Sequence, residues 1–136
     1  MRFTRDLVSE PANIINPETL AEKCLELEAL GVEVQILGEE EMYKLGFGAL
    51  LGVGQGSTKE SKLVIMKWNG LGKASKAQPL AFVGKGVTFD SGGLSLKSPE
   101  NMMGMKCDMA GAAAVLAVPA GRGCRGRRGY RVVQGT

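Results

Sequence analysis

Four charged residues in one glycine-rich stretch could carry chemistry in this chain: Lys85, Asp90, Lys97 and Asp108. Four glycines lie among them: Gly84, Gly86, Gly92 and Gly93. Glycines permit tight turns, which bring side chains from separate loops to one point. Two carboxylates at one point repel each other unless a lysine or a divalent cation lies between them. The stretch therefore indicates acid–base or metal chemistry.

Each of the four residues also has an ordinary structural interpretation. Asp108 would cap a helix that starts near Met109. Asp90 would accept backbone hydrogen bonds in an Asx turn with Ser91 and Gly92. The two lysines would be solvated surface charges. Two acids that lie eighteen residues apart are not a specific signal, so residue types and spacing alone leave both interpretations open.

The composition restricts which chemistry is possible. The 136 residues include no histidine, which excludes a Ser-His-Asp triad, a Cys-His pair and any His-ligated zinc site. Cys24, Cys107 and Cys124 form no C-x-x-C pair, which argues against disulfides and fits a reducing cytoplasm. Cys24 lies in a helical apolar pattern and is predicted to be buried. No apolar run approaches the ~18 residues of a membrane span, and no signal peptide is seen.

Hydrophobic periodicity predicts an α/β domain. Asn16 as N-cap, Pro17 and Glu18 begin a helix, and Gly31 ends it. Residues 32–37 alternate apolar and polar side chains, as a half-buried strand does. The other predicted elements are an acidic helix at 39–45, a loop at 46–57, strands at 62–68 and 80–83 (the latter short and buried), a polar loop at 71–79 and a helix at 109–118.

The glycine-rich segment 52–58 invites a phosphate-loop interpretation, which fails on inspection. A Walker loop needs a lysine directly before its serine or threonine, and Gly56 occupies that position before Ser57. A dinucleotide fingerprint needs a strand immediately before it and a helix after it, and neither is convincing here. Nucleotide binding is not predicted.

The composition changes abruptly at residue 118. The last 19 residues contain five arginines, no lysine and no acid, whereas the first 117 contain ten lysines and two arginines. Three explanations compete: an Arg-Gly arm that binds RNA, a disordered terminus, or residues translated out of frame from a longer gene. The out-of-frame origin is favoured, so the chain divides into residues 1–117 and 118–136.

Four strings of the sequence resemble the catalytic domain of the leucyl aminopeptidase (cytosol aminopeptidase) family. Residues 83–97 read V-G-K-G-V-T-F-D-S-G-G-L-S-L-K, and residues 105–114 read M-K-C-D-M-A-G-A-A-A. Residues 5–13 and 48–57 resemble the opening of that domain and its Gly-rich segment. The resemblance covers about residues 2–117. It implies that family's fold, a partial mixed β-sheet flanked by helices.

The resemblance also implies an activity, the metal-dependent removal of N-terminal residues, often leucine, from peptides. The family uses two divalent ions such as zinc or manganese. By this resemblance Lys85 coordinates one ion through its amine, Asp90 bridges both ions, and Asp108 completes the Lys85 site. Lys97 polarises the scissile carbonyl and stabilises the oxyanion, and Met105 lines the pocket for the first side chain of the substrate.

One later family string, Asn-Thr-Asp-Ala-Glu-Gly-Arg, is absent from this sequence. We therefore expect at most one well-liganded ion, no activity from the chain alone, and not the homo-hexamer typical of the family. The expected partner is a peptide substrate, with no membrane. Two alternatives stay open: a non-catalytic module that associates with full-length subunits, or an Arg-rich arm that binds nucleic acid on an inactive domain.

Overall fold

A computed structural model of the chain describes residues 2–70, 78–120 and 128–135. The helices are α1 (Arg2–Ser9), α2 (Pro17–Leu25), α3 (Glu39–Lys44), α4 (Gly48–Gly54), α5 (Pro99–Met102) and α6 (Ala110–Ala120), with 3-10 turns η1 (Glu26–Leu30) and η2 (Met105–Cys107). The strands are β1 (Glu33–Leu37), β2 (Lys62–Asn69), β3 (Leu80–Gly86) and β4 (Arg128–Gly135). They form one sheet in the order β1-β2-β4-β3, antiparallel except for the parallel pair β3–β4. This mixed sheet with flanking helices confirms the predicted fold class.

The helix at α2 begins and ends as its sequence predicts. The Asn16 side chain accepts hydrogen bonds from the backbone N–H groups of Glu18 (3.1 Å) and Thr19 (3.2 Å). The Thr19 hydroxyl accepts one from the Asn16 N–H at 2.9 Å, which completes a capping box. The last turn tightens into η1, and Gly31 ends it with a left-handed φ of 81°, a conformation that costs glycine little.

The core lies between the sheet and helices α1, α2 and α6. Helix α6 packs against β3 and β4, α2 packs against β2 and β4, and α1 packs against α6. Alternate residues of β2 face opposite sides of the sheet, so Val64 and Met66 join this main core while Leu63 and Ile65 join a smaller cluster under α3 and α4. The most deeply buried side chains of the main core include Leu20, Cys24, Met66, Met109 and Leu116. The site stretch is built directly onto this core.

Two segments of the predicted secondary structure were wrong. Residues 46–57 were expected to form a loop, but α4 occupies Gly48–Gly54. The packing of Leu50 and Leu51 into the smaller cluster outweighs the low helix propensity of three glycines. The strand predicted at 80–83 runs to Gly86 and is not buried: β3 lies at the sheet edge, and Val83 is 78% exposed.

Strand β4 was not expected in the arginine-rich segment. Its backbone lies between β2 and β3, with Val133 opposite Val64 and Val132 opposite Val83. The strand signal there was short, Tyr130 and the pair Val132–Val133, and the surrounding arginines obscured it. The division at residue 117 and the out-of-frame origin of residues 118–136 stay predictions. Most of the predicted polar loop and Cys124 lie outside the described residues.

None of the helices among the described residues combines the length and the apolar character that a membrane span requires.

The two described cysteines are expected to differ sharply in reactivity. Cys24 is fully buried, as predicted, and its thiol donates to the Leu20 carbonyl at 3.3 Å; burial raises its pKa to about 12. Cys107 is exposed. In a Cys124→Ser background, a thiol reagent should label Cys107 in the native chain and Cys24 only after unfolding, because the thiolate is the reactive form. Fast native labelling of Cys24 would contradict the described core.

The burial of Cys24 predicts that the fold loses stability at alkaline pH. The unfolded chain loses the Cys24 proton near the ordinary thiol pKa of 9.0, whereas the folded chain holds it up to about 12. Between these values the unfolded state binds fewer protons, so the free energy of unfolding falls as pH rises, by about 1.4 kcal/mol per pH unit. Urea titrations of the parent and Cys24→Ala chains from pH 8 to 10.5 should show this slope only in the parent.

Candidate metal centre

The fold brings Lys85 and Asp108 into direct contact. Lys85 is the penultimate residue of β3, and Asp108 directly follows η2, ahead of α6. The Lys85 Nζ lies 2.8 Å from the Asp108 Oδ2. The Lys85 side chain is 58% exposed and that of Asp108 only 19%, so the carboxylate lies at the floor of the pair and the amine at its solvent side.

A glycine pair sets the separation between these two residues. A Cβ atom on Gly84 would lie only 2.6 Å from the Gly111 carbonyl oxygen and 2.9 Å from the Ala112 Cα, so the β3 and α6 backbones touch. Lys85 follows this contact on the strand, and Asp108 precedes it on the helix side. The expectation that Gly84 and Gly86 form tight turns was therefore wrong, because both lie within β3; Gly84 serves close approach instead.

Asp90 and Lys97 lie at the two ends of a closed loop. The Gly92 N–H donates to the Asp90 Oδ1 at 2.9 Å, which confirms the predicted Asx turn. The Lys97 N–H donates to the Ser91 carbonyl at 2.9 Å and closes the loop. Gly92 has a φ of 109° and Gly93 one of 121°, as the prediction of tight turns required. The Asx turn uses the Asp90 Oδ1. The other oxygen, Oδ2, lies 3.5 Å from the Lys97 Nζ.

The neighbouring carboxylates change the pKa of Lys85. The short contact with the Asp108 carboxylate raises the pKa of the Lys85 amine above its ordinary value, with partial desolvation opposing it. The negative charges of Asp108 and Asp90 add to the rise. Lys85 is therefore protonated at neutral pH in the metal-free chain. A metal ion that uses the amine as a ligand has to displace that proton.

The residues present fit one divalent cation. The Asp108 Oδ2 is buried, and the Lys85 ammonium 2.8 Å away holds it in the metal-free chain. A buried carboxylate oxygen without a hydrogen bond is costly unless a cation or metal holds it. One amine and two carboxylates are a mixed nitrogen–oxygen donor set suited to zinc or manganese. Among the described residues, no three His, Cys, Asp or Glu side chains cluster to form a metal site, so Lys85 is needed to complete a set of three.

The structure places the remaining predicted site residue, Met105, on the same turn as Asp108. It is half-buried, and its carbonyl accepts the Asp108 N–H at 3.2 Å. Sequence reasoning gave no role to its neighbour Lys106, whose Nζ donates to the Ser9 carbonyl at 2.7 Å. That contact joins residues 97 positions apart, and no local pattern reveals such a partner. The M-K-x-D spacing was its only sequence signal.

Comparison with known proteins extends the match beyond the site. The family described as cytosol aminopeptidase family, catalytic domain, matches residues 2–121. Probable cytosol aminopeptidases from Caulobacter vibrioides and Brucella melitensis are 64% identical over 116 residues and 58% identical over 111 residues. These alignments cover 85% and 82% of this chain but 23% and 22% of those proteins. The chain thus spans about a quarter of the length of these relatives.

Solved structures show the same architecture. A cytosol aminopeptidase from Coxiella burnetii superposes with a TM-score of 0.86 at 31% identity, over 98% of this chain and 29% of that one. A bottromycin maturation enzyme in complex with Mn superposes with a TM-score of 0.84 at 34% identity, over 97% of this chain and 29% of that one. The resemblance carried by residues 83–97 and 105–114 is confirmed, and the chain belongs to the cytosol aminopeptidase family.

Proposed function

We propose that this chain supplies part of the metal site of an aminopeptidase that removes N-terminal residues, leucine among them, from peptides in the cytosol. Membership of a peptidase family supports the class of reaction. The observation that carries the proposal is the Lys85–Asp108 contact at 2.8 Å, in which a buried carboxylate oxygen is held by a cation that a metal ion could replace. The location and the aminopeptidase activity follow the names of the relatives, and leucine follows the family resemblance of residues 83–97 and 105–114.

Lys85, Asp90 and Asp108 would hold one zinc or manganese ion. A bound ion supplies Lewis-acid polarisation of the carbonyl and an activated water. Lys85 contributes a neutral amine once its proton has left. Asp108 contributes a carboxylate fixed by burial. Asp90 has one oxygen engaged by the Gly92 N–H and a second that is free to leave Lys97 for the ion, as a bridging ligand requires.

Lys97 would stabilise the charge that develops on the scissile carbonyl. Its side chain is 29% exposed, and its ammonium lies a relatively long 3.5 Å from the Asp90 carboxylate. A partly buried cation that is not held by a short ion pair can turn toward a developing oxyanion, where low local dielectric strengthens the attraction. Met105 would contact the first side chain of the substrate from the turn that also carries Asp108.

Catalysis by the chain alone is not proposed. The proposed site has three ligands for one ion, and a second ion would share only Asp90 with it. The two alternatives, a module on other subunits and an Arg-rich nucleic-acid arm, rest on composition, and no contact among the described residues favours either. A homo-oligomer of this chain is likewise not proposed.

A segment exchange tests the proposed roles. Residues 2–117 would replace the matching segment of the Caulobacter vibrioides relative, and hydrolysis of leucine p-nitroanilide would be measured with Mn²⁺. We expect the chimera to be active and Lys97→Met in it to lower kcat about 100- to 1,000-fold, as for the loss of an oxyanion-stabilising group. Lys67→Met is the matched control, because Lys67 forms an exposed ion pair with Glu33 on the sheet.

The isolated chain, assayed alongside, should show no turnover above the metal blank. Turnover by the isolated chain that disappears with a chelator or with Asp90→Ala would contradict the expected inactivity. A folded chimera that binds Mn²⁺ but keeps full activity with Lys97→Met would contradict the role of Lys97.

A further inference from the structure

Lys106 connects the turn that carries Asp108 to a distant helix. Its Nζ donates to the carbonyl of Ser9, the last residue of α1, at 2.7 Å. The last carbonyls of a helix lack intrahelical partners and carry partial negative charge. The last turn of α1 contains no basic residue of its own. Lys106, 97 residues further along the chain, therefore supplies a cation to the last turn of α1.

Helix α1 is a firm support for this contact. Leu7 is buried in the main core, and the Thr4 hydroxyl donates to the Ala113 carbonyl of α6 at 3.3 Å. The turn is anchored on its other side by Met109, which is fully buried. Lys106 and Met109 thus hold Asp108 between two fixed points.

We infer that Lys106 is a positioning residue, whose bond to the α1 terminus orients Asp108 for metal binding. The inference rests on the proposed function, since it presumes that Asp108 is a ligand. The direction of the change in metal affinity distinguishes a positioning role of Lys106 from a simple effect of its charge. Removing a cation two residues from a metal ligand should strengthen the binding of a dication through reduced repulsion. Removing a positioning contact should weaken binding by about 10-fold, the lower end of the losses seen when a direct hydrogen bond to a metal ligand is removed.

The test titrates Mn²⁺ into the full chain at one pH by calorimetry. Lys106→Met keeps the length of the side chain and removes its charge and donors, whereas Lys106→Arg keeps both. Lys44→Met is the matched control, because Lys44 pairs with Glu40 on the exposed face of α3. We expect a loss of about 10-fold in affinity for Lys106→Met, substantial recovery for Lys106→Arg, and no change for Lys44→Met. Unchanged or tighter binding by Lys106→Met overturns the inference.

A metal-free readout separates this inference from the proposed function. The amides of Cys107 and Asp108 donate to the carbonyls of Gly104 and Met105, at 3.1 and 3.2 Å. Their hydrogen exchange should accelerate in Lys106→Met, while the core amide of Ala113, which donates to Met109, keeps its rate. If the parent chain binds no Mn²⁺, the proposed function fails, and the exchange rates alone decide whether Lys106 positions the turn. Equal exchange in the parent and Lys106→Met chains overturns the positioning role.

Discussion

Replacing Gly84 with alanine is expected to destabilise the chain by about 3 kcal/mol, the upper part of the usual cost of overpacking. The new Cβ would lie 2.6 to 2.9 Å from backbone atoms of Gly111 and Ala112. Backbone atoms cannot rotate away, so α6 has to move off β3 and the core between them opens. Urea unfolding of the two chains measures the effect. The same shift should separate Lys85 from Asp108 and weaken metal binding.

Gly52→Ala is the matched control for this substitution. Gly52 lies within α4, and a Cβ atom added there would meet no atom from outside its own stretch of helix within 4 Å. Alanine there should raise the free energy of unfolding by about 0.5–1 kcal/mol, because glycine weakens a helix interior. Equal stabilities of the Gly84→Ala and parent chains would mean that the strand and the helix do not touch.

Replacing Asp108 with asparagine is expected to weaken Mn²⁺ binding by at least about 100-fold, the upper end of the losses seen when only an outer contact of a ligand is removed. The substitution keeps the size of the side chain but removes the anionic oxygen that lies 2.8 Å from Lys85. Calorimetric titration measures the affinity. Because the ion pair with Lys85 is also lost, the pKa of the Lys85 amine should fall toward its ordinary value.

Glu28→Gln controls for the loss of one negative charge. Glu28 is exposed on η1, an element separate from the turn that carries Asp108. Its replacement changes net charge by the same amount and should leave the affinity for Mn²⁺ unchanged. A similar loss of affinity in both variants would mean that Mn²⁺ responds to overall charge and has no defined site.

The sequence predicted best those elements whose ends are set locally. The helix from Pro17 has its cap in Asn16 and its stop in Gly31, and both act through neighbours within four residues. The strand at β2 contains an apolar run at residues 63–66 and was predicted to within one residue of its end. Such signals depend on the nearby chain and need no knowledge of the fold.

The elements that were missed depend on distant partners. Helix α4 contains three glycines and forms because Leu50 and Leu51 pack against Leu37 and Met42. Strand β4 is held by pairing on both sides with β2 and β3, which outweighs its arginines. The exposure of β3 follows from its position at the sheet edge, and an apolar run alone does not distinguish an edge strand from a central one.

The candidate site was named by motif and is explained by tertiary contacts. Residue types and spacing alone left Asp90 and Asp108 undecided, and the family strings selected them. The structure adds the close backbone contact of Gly84 with Gly111, which brings Lys85 near Asp108. It also supplies a partner for Lys106 that lies 97 residues away. Neither contact produces a periodic pattern or a characteristic spacing in a single sequence.

The central claim is that Lys85, Asp90 and Asp108 form one metal site, and the stoichiometry of the Mn²⁺ titration tests it most directly. The full chain should bind one ion and release close to one proton, because Lys85 is protonated before binding. Repeating the titration in buffers of different ionisation enthalpy counts that proton, and affinity should rise with pH. No binding, or binding that releases no proton and survives Asp108→Asn, would contradict the account.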